Sequence, residues 1–183
     1  LINSKYEVQE SFLKELKKLN ILKTFMLTGD KKEQALEVAK NIGIDEVRYE
    51  LLPQDKLKIY ENIKKDTNQT TAFVGDGIND APTLANADIG FAMGGIGSDL
   101  AIKSADVIVL NDNLNSISDA IKIAKKTRVI VYQNIIFIMA VKIGFLFLGA
   151  GAVIGMQEAI FADMGVALIA IFNSMRILKE IKK

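Results

Sequence analysis

Between Asn134 and Met175 only Lys142, Glu158 and Asp163 carry charge, and no other feature narrows the possible folds as much. One apolar run extends from Val129 to about Gly149 and a second from about Met156 to Met175. Each is near the ~20 residues that a helix needs to cross a bilayer. The stretch Gly149-Ala150-Gly151-Ala152-Val153-Ile154-Gly155 supplies a glycine-rich turn between them. Lys122, Lys125, Lys126 and Arg128 flank the pair on one side, and Arg176, Lys179, Lys182 and Lys183 on the other. Basic residues at both outer ends place both ends in the cytoplasm. A hydrophobic hairpin buried in a soluble protein is the competing reading. Two adjacent runs of spanning length with basic flanks argue against it. The expectation is an α-helical transmembrane hairpin over residues 126–183, in contact with the lipid bilayer.

Residues 1–125 alternate helical and strand-like patterns, which predicts a parallel α/β sheet. Helices are expected over Ser11 to Leu19, Lys31 to Ile42 (closed by Gly43) and Pro53 to about Lys65. Strands are expected over Lys23 to Leu27, Glu46 to Tyr49, Thr71 to Val74, Asp88 to Ala92 and Asp106 to Leu110. Short helices should occupy Ala81 to Asn86 and a stretch near Ser98 to Ser104. A further helix from about Leu114 to Arg128 should continue into the first span. The glycines at 94, 95 and 97 read as a sharp turn, because no Gly-Lys-Ser/Thr follows them.

The chemistry concentrates at the carboxyl ends of two expected strands, where open α/β sheets bind ligands. After Thr71-Ala72-Phe73-Val74 comes Gly75-Asp76-Gly77-Ile78-Asn79-Asp80-Ala81-Pro82, two carboxylates and an amide on a glycine-rich turn. Carboxylate oxygens at such a turn suit Mg²⁺ and a phosphoryl group. Thr28-Gly29-Asp30 follows the strand ending at Leu27, and Lys56 lies just after Pro53 at the start of a helix. A hydroxyl, an ammonium and a Mg²⁺-binding aspartate together can hold and neutralise phosphate oxygens. Taken singly, Thr-Gly-Asp could be only a helix cap and Lys56 a solvated lysine.

Met26-Leu27-Thr28-Gly29-Asp30, Pro53-Gln54-Asp55-Lys56 and the Gly75–Pro82 string together resemble the phosphorylation domain of P-type ATPases, a membrane branch of the haloacid-dehalogenase superfamily. The resemblance implies a Rossmann-like domain of that type, incomplete here, over residues 1–125. It also implies a site of Thr28, Gly29, Asp30, Lys56, Asn79 and Asp80, with Asp76 holding Mg²⁺. ATP would be the substrate of the parent enzyme. The family's nucleophile stands in an Asp-Lys-Thr-Gly-Thr motif, and no such string occurs in this chain. The expectation is therefore a carboxy-terminal part of a pump, inactive alone and partnered by the missing amino-terminal part. The resemblance also leaves room for a truncated membrane module regulating an intact pump, or for a membrane-anchored phosphatase.

The intramembrane charges extend the reading. Lys142 lies seven positions before Gly149 and Asp163 seven after Met156, each roughly 10 Å from the turn at ~1.5 Å per residue. An antiparallel hairpin brings them to similar depth. Ionisable groups in a span are costly and mark function by default; a structural ion pair or a snorkelling lysine is the plainer alternative. Phe161-Ala162-Asp163-Met164-Gly165 resembles the Asp-x-Gly signature of the family's zinc, cadmium and lead pumps, and Asn134-Ile135 followed by Lys142 resembles their penultimate span. That resemblance implies Asp163 as a ligand of the transported divalent cation, Lys142 as a counter-ion, and a location in the plasma membrane with the catalytic domain cytoplasmic. The chain has no cysteine and no histidine, which removes disulfides and Cys/His metal sites from it. Its net charge of +1 gives no reason to expect nucleic-acid binding.

Overall fold

Apolar residues at helical spacing bury Phe12, Leu13 and Leu16 on the first helix, α1 (residues 11–18). From there the chain alternates strands and helices in a computed structural model that describes residues 11–75, 78–94, 103–111, 113–151 and 155–178. Strand β1 (Phe25–Leu27) leads through α2 (Lys32–Ile42) to β2 (Glu46–Arg48), and α3 (Pro53–Thr67) leads on to β3 (Ala72–Gly75). A 3₁₀ turn (Ile78–Asp80) and α4 (Ala81–Asn86) connect β3 to β4 (Ile89–Met93), and β5 (Val107–Val109) follows. All pairings are parallel: β1 with β2 in one sheet, and β3-β4-β5 in order in a second. The expected α/β class is the one observed. The expected helix near Ser98 to Ser104 lies outside the described residues except for 103–104, which are helical.

The chain divides into two compact units, Leu1–Ser118 and Asp119–Lys183. In the first, Tyr60, Phe73, Leu84 and Ala92 form a buried cluster against which Leu27, Ala87 and Ala105 pack. Tyr60 meets Phe73 edge to face, with ring centroids 5.8 Å apart. At Gly90 an added Cβ would lie 2.8 Å from the Leu84 carbonyl oxygen, so α4 presses its backbone directly onto β4. Gly43, expected to close α2, does so with φ +85° and donates its N–H to Ala39.

Strands β1 and β3 begin later than their hydrophobic patterns suggest, for one recurring reason. An aspartate just before a strand turns its carboxylate sideways and takes a backbone N–H at the start of the neighbouring strand. Asp45 accepts from Thr24 N–H at 2.8 Å and from its hydroxyl at 2.7 Å. Asp88 accepts from Thr71 N–H at 2.9 Å, and Asp106 from Gly90 N–H at 2.8 Å. The sheets are clipped at their amino-terminal edge, opposite the edge where the candidate site lies. The hydroxyl and backbone N–H of Thr24 hold Asp45 below the ordinary carboxylate pKa. The Lys64 ammonium, then the Thr71 N–H, do the same for Asp88, and Asp88 in turn raises the Lys64 pKa.

In the second unit, helix α5 (Asn115–Ala150) is followed by α6 (Met156–Ser174) and a 3₁₀ turn (Met175–Ile177). Residues 152–154 of the expected turn lie outside the described residues. Large apolar side chains face outward on both helices, among them Ile136, Phe147, Phe161 and Phe172. A helix in a soluble core would bury such residues; these suit a lipid surround or other helices. The less exposed positions form one stripe per helix. On α5 from Ile130 onward they are Ile130, Asn134, Ile138, Val141 and Phe145; on α6 they are Ala162, Gly165, Val166, Ala170 and Asn173. Steps of three and four mark a packed helix seam, and the small residues on α6 allow close approach.

A carboxylate held below its unfolded pKa contributes stability above that value and loses it as pH falls through the folded pKa. Asp88→Asn should therefore lower the thermal midpoint of the detergent-solubilised chain at pH 7. It should also flatten the loss of stability below about pH 4, near the unfolded aspartate pKa. Circular dichroism melts at pH 7 and pH 3.5 measure both; an unaltered acid slope would contradict the role given to Asp88.

Candidate functional site

The loop after β1 is tied down by the loop after β2. Thr28 N–H donates to Arg48 O at 3.0 Å, Leu51 N–H to Thr28 O at 3.1 Å, and Glu50 N–H to Asp30 O at 2.9 Å. Gly29 sits where an added Cβ would lie 3.2 Å from Leu51 O, so a side chain there would press on the neighbouring loop. The Thr28 hydroxyl donates to Asp30 Oδ2 at 2.7 Å and accepts from Asp30 N–H at 3.1 Å. Asp30 thus orients Thr28, a relation that the sequence motif does not disclose.

Lys56 owes its position to the start of α3. Pro53 opens the helix, where its missing N–H costs nothing. The Asp55 carboxylate accepts from Leu52 N–H at 3.1 Å, one half of a capping box. One residue on, the Lys56 ammonium donates to Asp80 Oδ1 at 2.9 Å. Asp80 is only 7% exposed, so its charge needs that partner. It ends the 3₁₀ turn and stands at the N-terminal boundary of α4, with Pro82 in the first turn of that helix. Gly75 makes room for it: a Cβ at Gly75 would stand 2.7 Å from Asp80 Cβ and 3.2 Å from its Oδ2.

The structure therefore joins Thr28 to Asp30 and Lys56 to Asp80. Asn79 lies in the same 3₁₀ turn as Asp80 and is exposed. Asp76, the expected Mg²⁺ ligand, lies outside the described residues, as do Gly95 and Gly97 of the glycine cluster; Gly94 is at φ +88°. The side chains at these loops present hydroxyl, carboxylate and amide oxygens and one ammonium. Such oxygen donors fit a hard cation and the ammonium fits a phosphate.

In the second unit Lys142 Nζ stands 3.0 Å from Asp163 Oδ1. The two side chains are 57% and 62% exposed, so the pair is not sealed within the seam. A second polar contact joins the helices nearer their other ends. Asn134 Nδ2 donates to Ala170 O at 3.2 Å and to Ser174 Oγ at 2.9 Å, and its Oδ1 accepts from Asn173 Nδ2 at 2.8 Å. Ser174 Oγ donates to Ala170 O, and Arg176 Nη1 to Asn173 Oδ1, each at 2.9 Å. Sequence reasoning assigned no role to Asn173 or Ser174. The available signal was their polarity at the end of an otherwise apolar span.

Residues 4–88 match the haloacid dehalogenase-like hydrolase family. Over 167 residues, 90% of its length, the chain is 50% identical to a cadmium, zinc and cobalt-transporting ATPase of Bacillus subtilis and covers 24% of that protein. It is 47% identical over 168 residues, 91% of its length, to a zinc-transporting ATPase of Synechocystis sp., of which it covers 23%. A crystal structure of a zinc-transporting PIB-type ATPase superposes with a TM-score of 0.81 at 34% identity, covering 91% of this chain and 27% of that one. The chain thus spans about a quarter of the length of these relatives.

Gly75→Ala should displace Asp80 from Lys56 and cost about 1–3 kcal/mol, the usual range for overpacking. Gly144→Ala, where nothing stands within 4 Å of the new Cβ, should cost far less. Denaturant unfolding of the two variants checks the difference, and equal losses would contradict the packing argument.

Proposed function

We propose that this chain is a member of the heavy-metal P-type ATPases, the family of the relatives it resembles, and that it forms the carboxy-terminal part of an ATP-driven pump for a soft divalent cation. The candidates are Zn²⁺, Cd²⁺ and Pb²⁺. The observation that carries this reading is the Lys142–Asp163 pair, 3.0 Å apart between two apolar helices. Two isolated charges in a span would each be costly; paired, they cancel while no cation is bound. A cation approaching the exposed Asp163 carboxylate competes with the Lys142 ammonium for the same oxygens. The pair then alternates between a metal-bound and a self-neutralised state. The thiolates that soft metals favour come from other parts of the pump, since this chain has no cysteine.

In the first unit, Thr28 and Lys56 hold and neutralise the phosphoryl group, and Asp30 keeps the Thr28 hydroxyl in place. Asp80 fixes Lys56 and starts α4, and the exposed Asn79 beside it is free to meet the phosphoryl group. Asp76, the residue after Gly75 in the sequence, would hold Mg²⁺. When bound, that ion supplies charge neutralisation to the phosphoryl oxygens of ATP-derived phosphate. The phosphorylated aspartate lies in the remainder of the pump. Among the described residues, β1 pairs with β2 and β3 with β4, but β1 and β3 do not pair with each other. Each presents an edge with unused backbone hydrogen-bonding groups. A strand from the remainder of the pump completes the domain there. The hairpin crosses the plasma membrane with both ends cytoplasmic.

In the whole pump, Asp163→Asn should abolish metal-stimulated ATP hydrolysis while inorganic phosphate still phosphorylates the enzyme, because the phosphoryl site is untouched. Full recovery of metal stimulation on adding Lys142→Met would instead make the pair a purely structural one. For orientation, Ala152→Cys in intact cells should react with an impermeant thiol reagent and Lys182→Cys should not. The opposite labelling would overturn the topology.

A further inference from the structure

Lipid chains are as apolar as leucine, so helices in a bilayer gain little from sliding into one register rather than another. Both helices of the hairpin are apolar over most of their length, and only Ile130 and Val166 are buried hydrophobics among the described residues of the second unit. Register must therefore come from directional contacts. Among the described residues, two groups of polar contacts join the apolar parts of α5 and α6, the Lys142–Asp163 pair and the Asn134 cluster. The ion pair is a poor ruler: a lysine side chain is long and flexible, and both partners are more than half exposed.

The Asn134 amide is short and saturated. Both its N–H groups and its oxygen are used, and all three bonds reach α6, at Ala170 O, Ser174 Oγ and Asn173 Nδ2. Ala170 O and the Ser174 hydroxyl are themselves bonded to each other, and Arg176 holds Asn173 from the far side. A slip of α6 by one turn, about 5.4 Å, would strand this amide without partners in an apolar seam. Lys142 lies eight residues, or about 12 Å, along α5 from Asn134, and Asp163 lies seven residues before Ala170 on α6. Docking at Asn134 thus brings Lys142 and Asp163 to one depth.

We propose that Asn134 is a positioning residue, a register pin that holds α5 and α6 so that Lys142 meets Asp163. Its consequence for transport rests on the pump reading above; the pin itself does not. The test uses the full chain inserted in membranes, which contains no cysteine of its own. Lys142→Cys with Asp163→Cys removes the ion pair, so the contribution of the Asn134 cluster to register is read without it. A short bifunctional thiosulfonate should link the two positions. Adding Asn134→Leu should slow the linking about tenfold, given three lost interhelical bonds. Linking should then extend to partners one turn away, with Ile160→Cys or Ala167→Cys in place of Asp163→Cys. A linking rate within about twofold of the starting protein would overturn the proposal. Should Asn134→Leu fail to insert, Asn173→Leu with Ser174→Ala removes two of the three bonds and is judged by the same rates. In the whole pump, Asn134→Leu should raise the metal concentration for half-maximal ATP hydrolysis. Slowed linking with unchanged metal dependence would uphold the pin and refute the transport role of the ion pair.

Discussion

A polar group withdrawn from water must find a partner inside the chain, and that requirement shapes both units. An unpaired buried charge or amide costs more than most single contacts return. In the first unit it binds Asp80 to Lys56. In the second it binds Lys142 to Asp163 and saturates Asn134. Removing one member of any of these sets leaves the other worse off than if neither were present.

The same requirement divides the aspartates according to the strand end that they occupy. Asp45, Asp88 and Asp106 each stand immediately before a strand and give their carboxylates to backbone N–H groups of a neighbour. They close the amino-terminal edge of the sheets. Asp30 and Asp80 stand after strands, at the edge where Thr28 and Lys56 also lie, and they hold those two side chains rather than backbone. One residue type thus does two jobs according to the strand end that it occupies. The glycines between them are set by the same crowding: Gly75 leaves space for Asp80, and Gly29 for the Leu51 carbonyl.

The seam of the hairpin follows a different economy. Small residues on α6 let the helices approach, while outward-facing Ile136, Phe147, Phe161 and Phe172 meet apolar surroundings. The ion pair lies at the rim of this seam, one position beyond Val141 and Ala162 in their stripes. There a charge can remain neutralised by its partner and still be reached. The Asn134 cluster lies within the seam, where an amide is held by bonds rather than by charge.

Alternating patterns marked the parallel α/β class, and long apolar runs marked both apolar helices, because a repeat of 3.6 or a long apolar run leaves few alternatives; α4 was read to the residue from its place after the glycine-rich turn. Motif spacing marked Thr28, Lys56 and Asp80 as one set, since each follows a strand or opens a helix; of these the structure joins Lys56 to Asp80. Depth arithmetic from the glycine turn set Lys142 against Asp163, because a helix rises by a fixed step per residue. The tertiary structure decided the rest. Strand starts moved where an aspartate from a distant segment took a backbone N–H at the start, 17 residues away for Thr71 and 21 for Thr24. Lys56 chose Asp80 across 24 residues of sequence, and Asn134 found Asn173 across 39. A sequence pattern records which face or end of an element a residue occupies. Which group satisfies its hydrogen-bonding capacity depends on what the fold brings within about 3 Å, a distance with no periodicity to read.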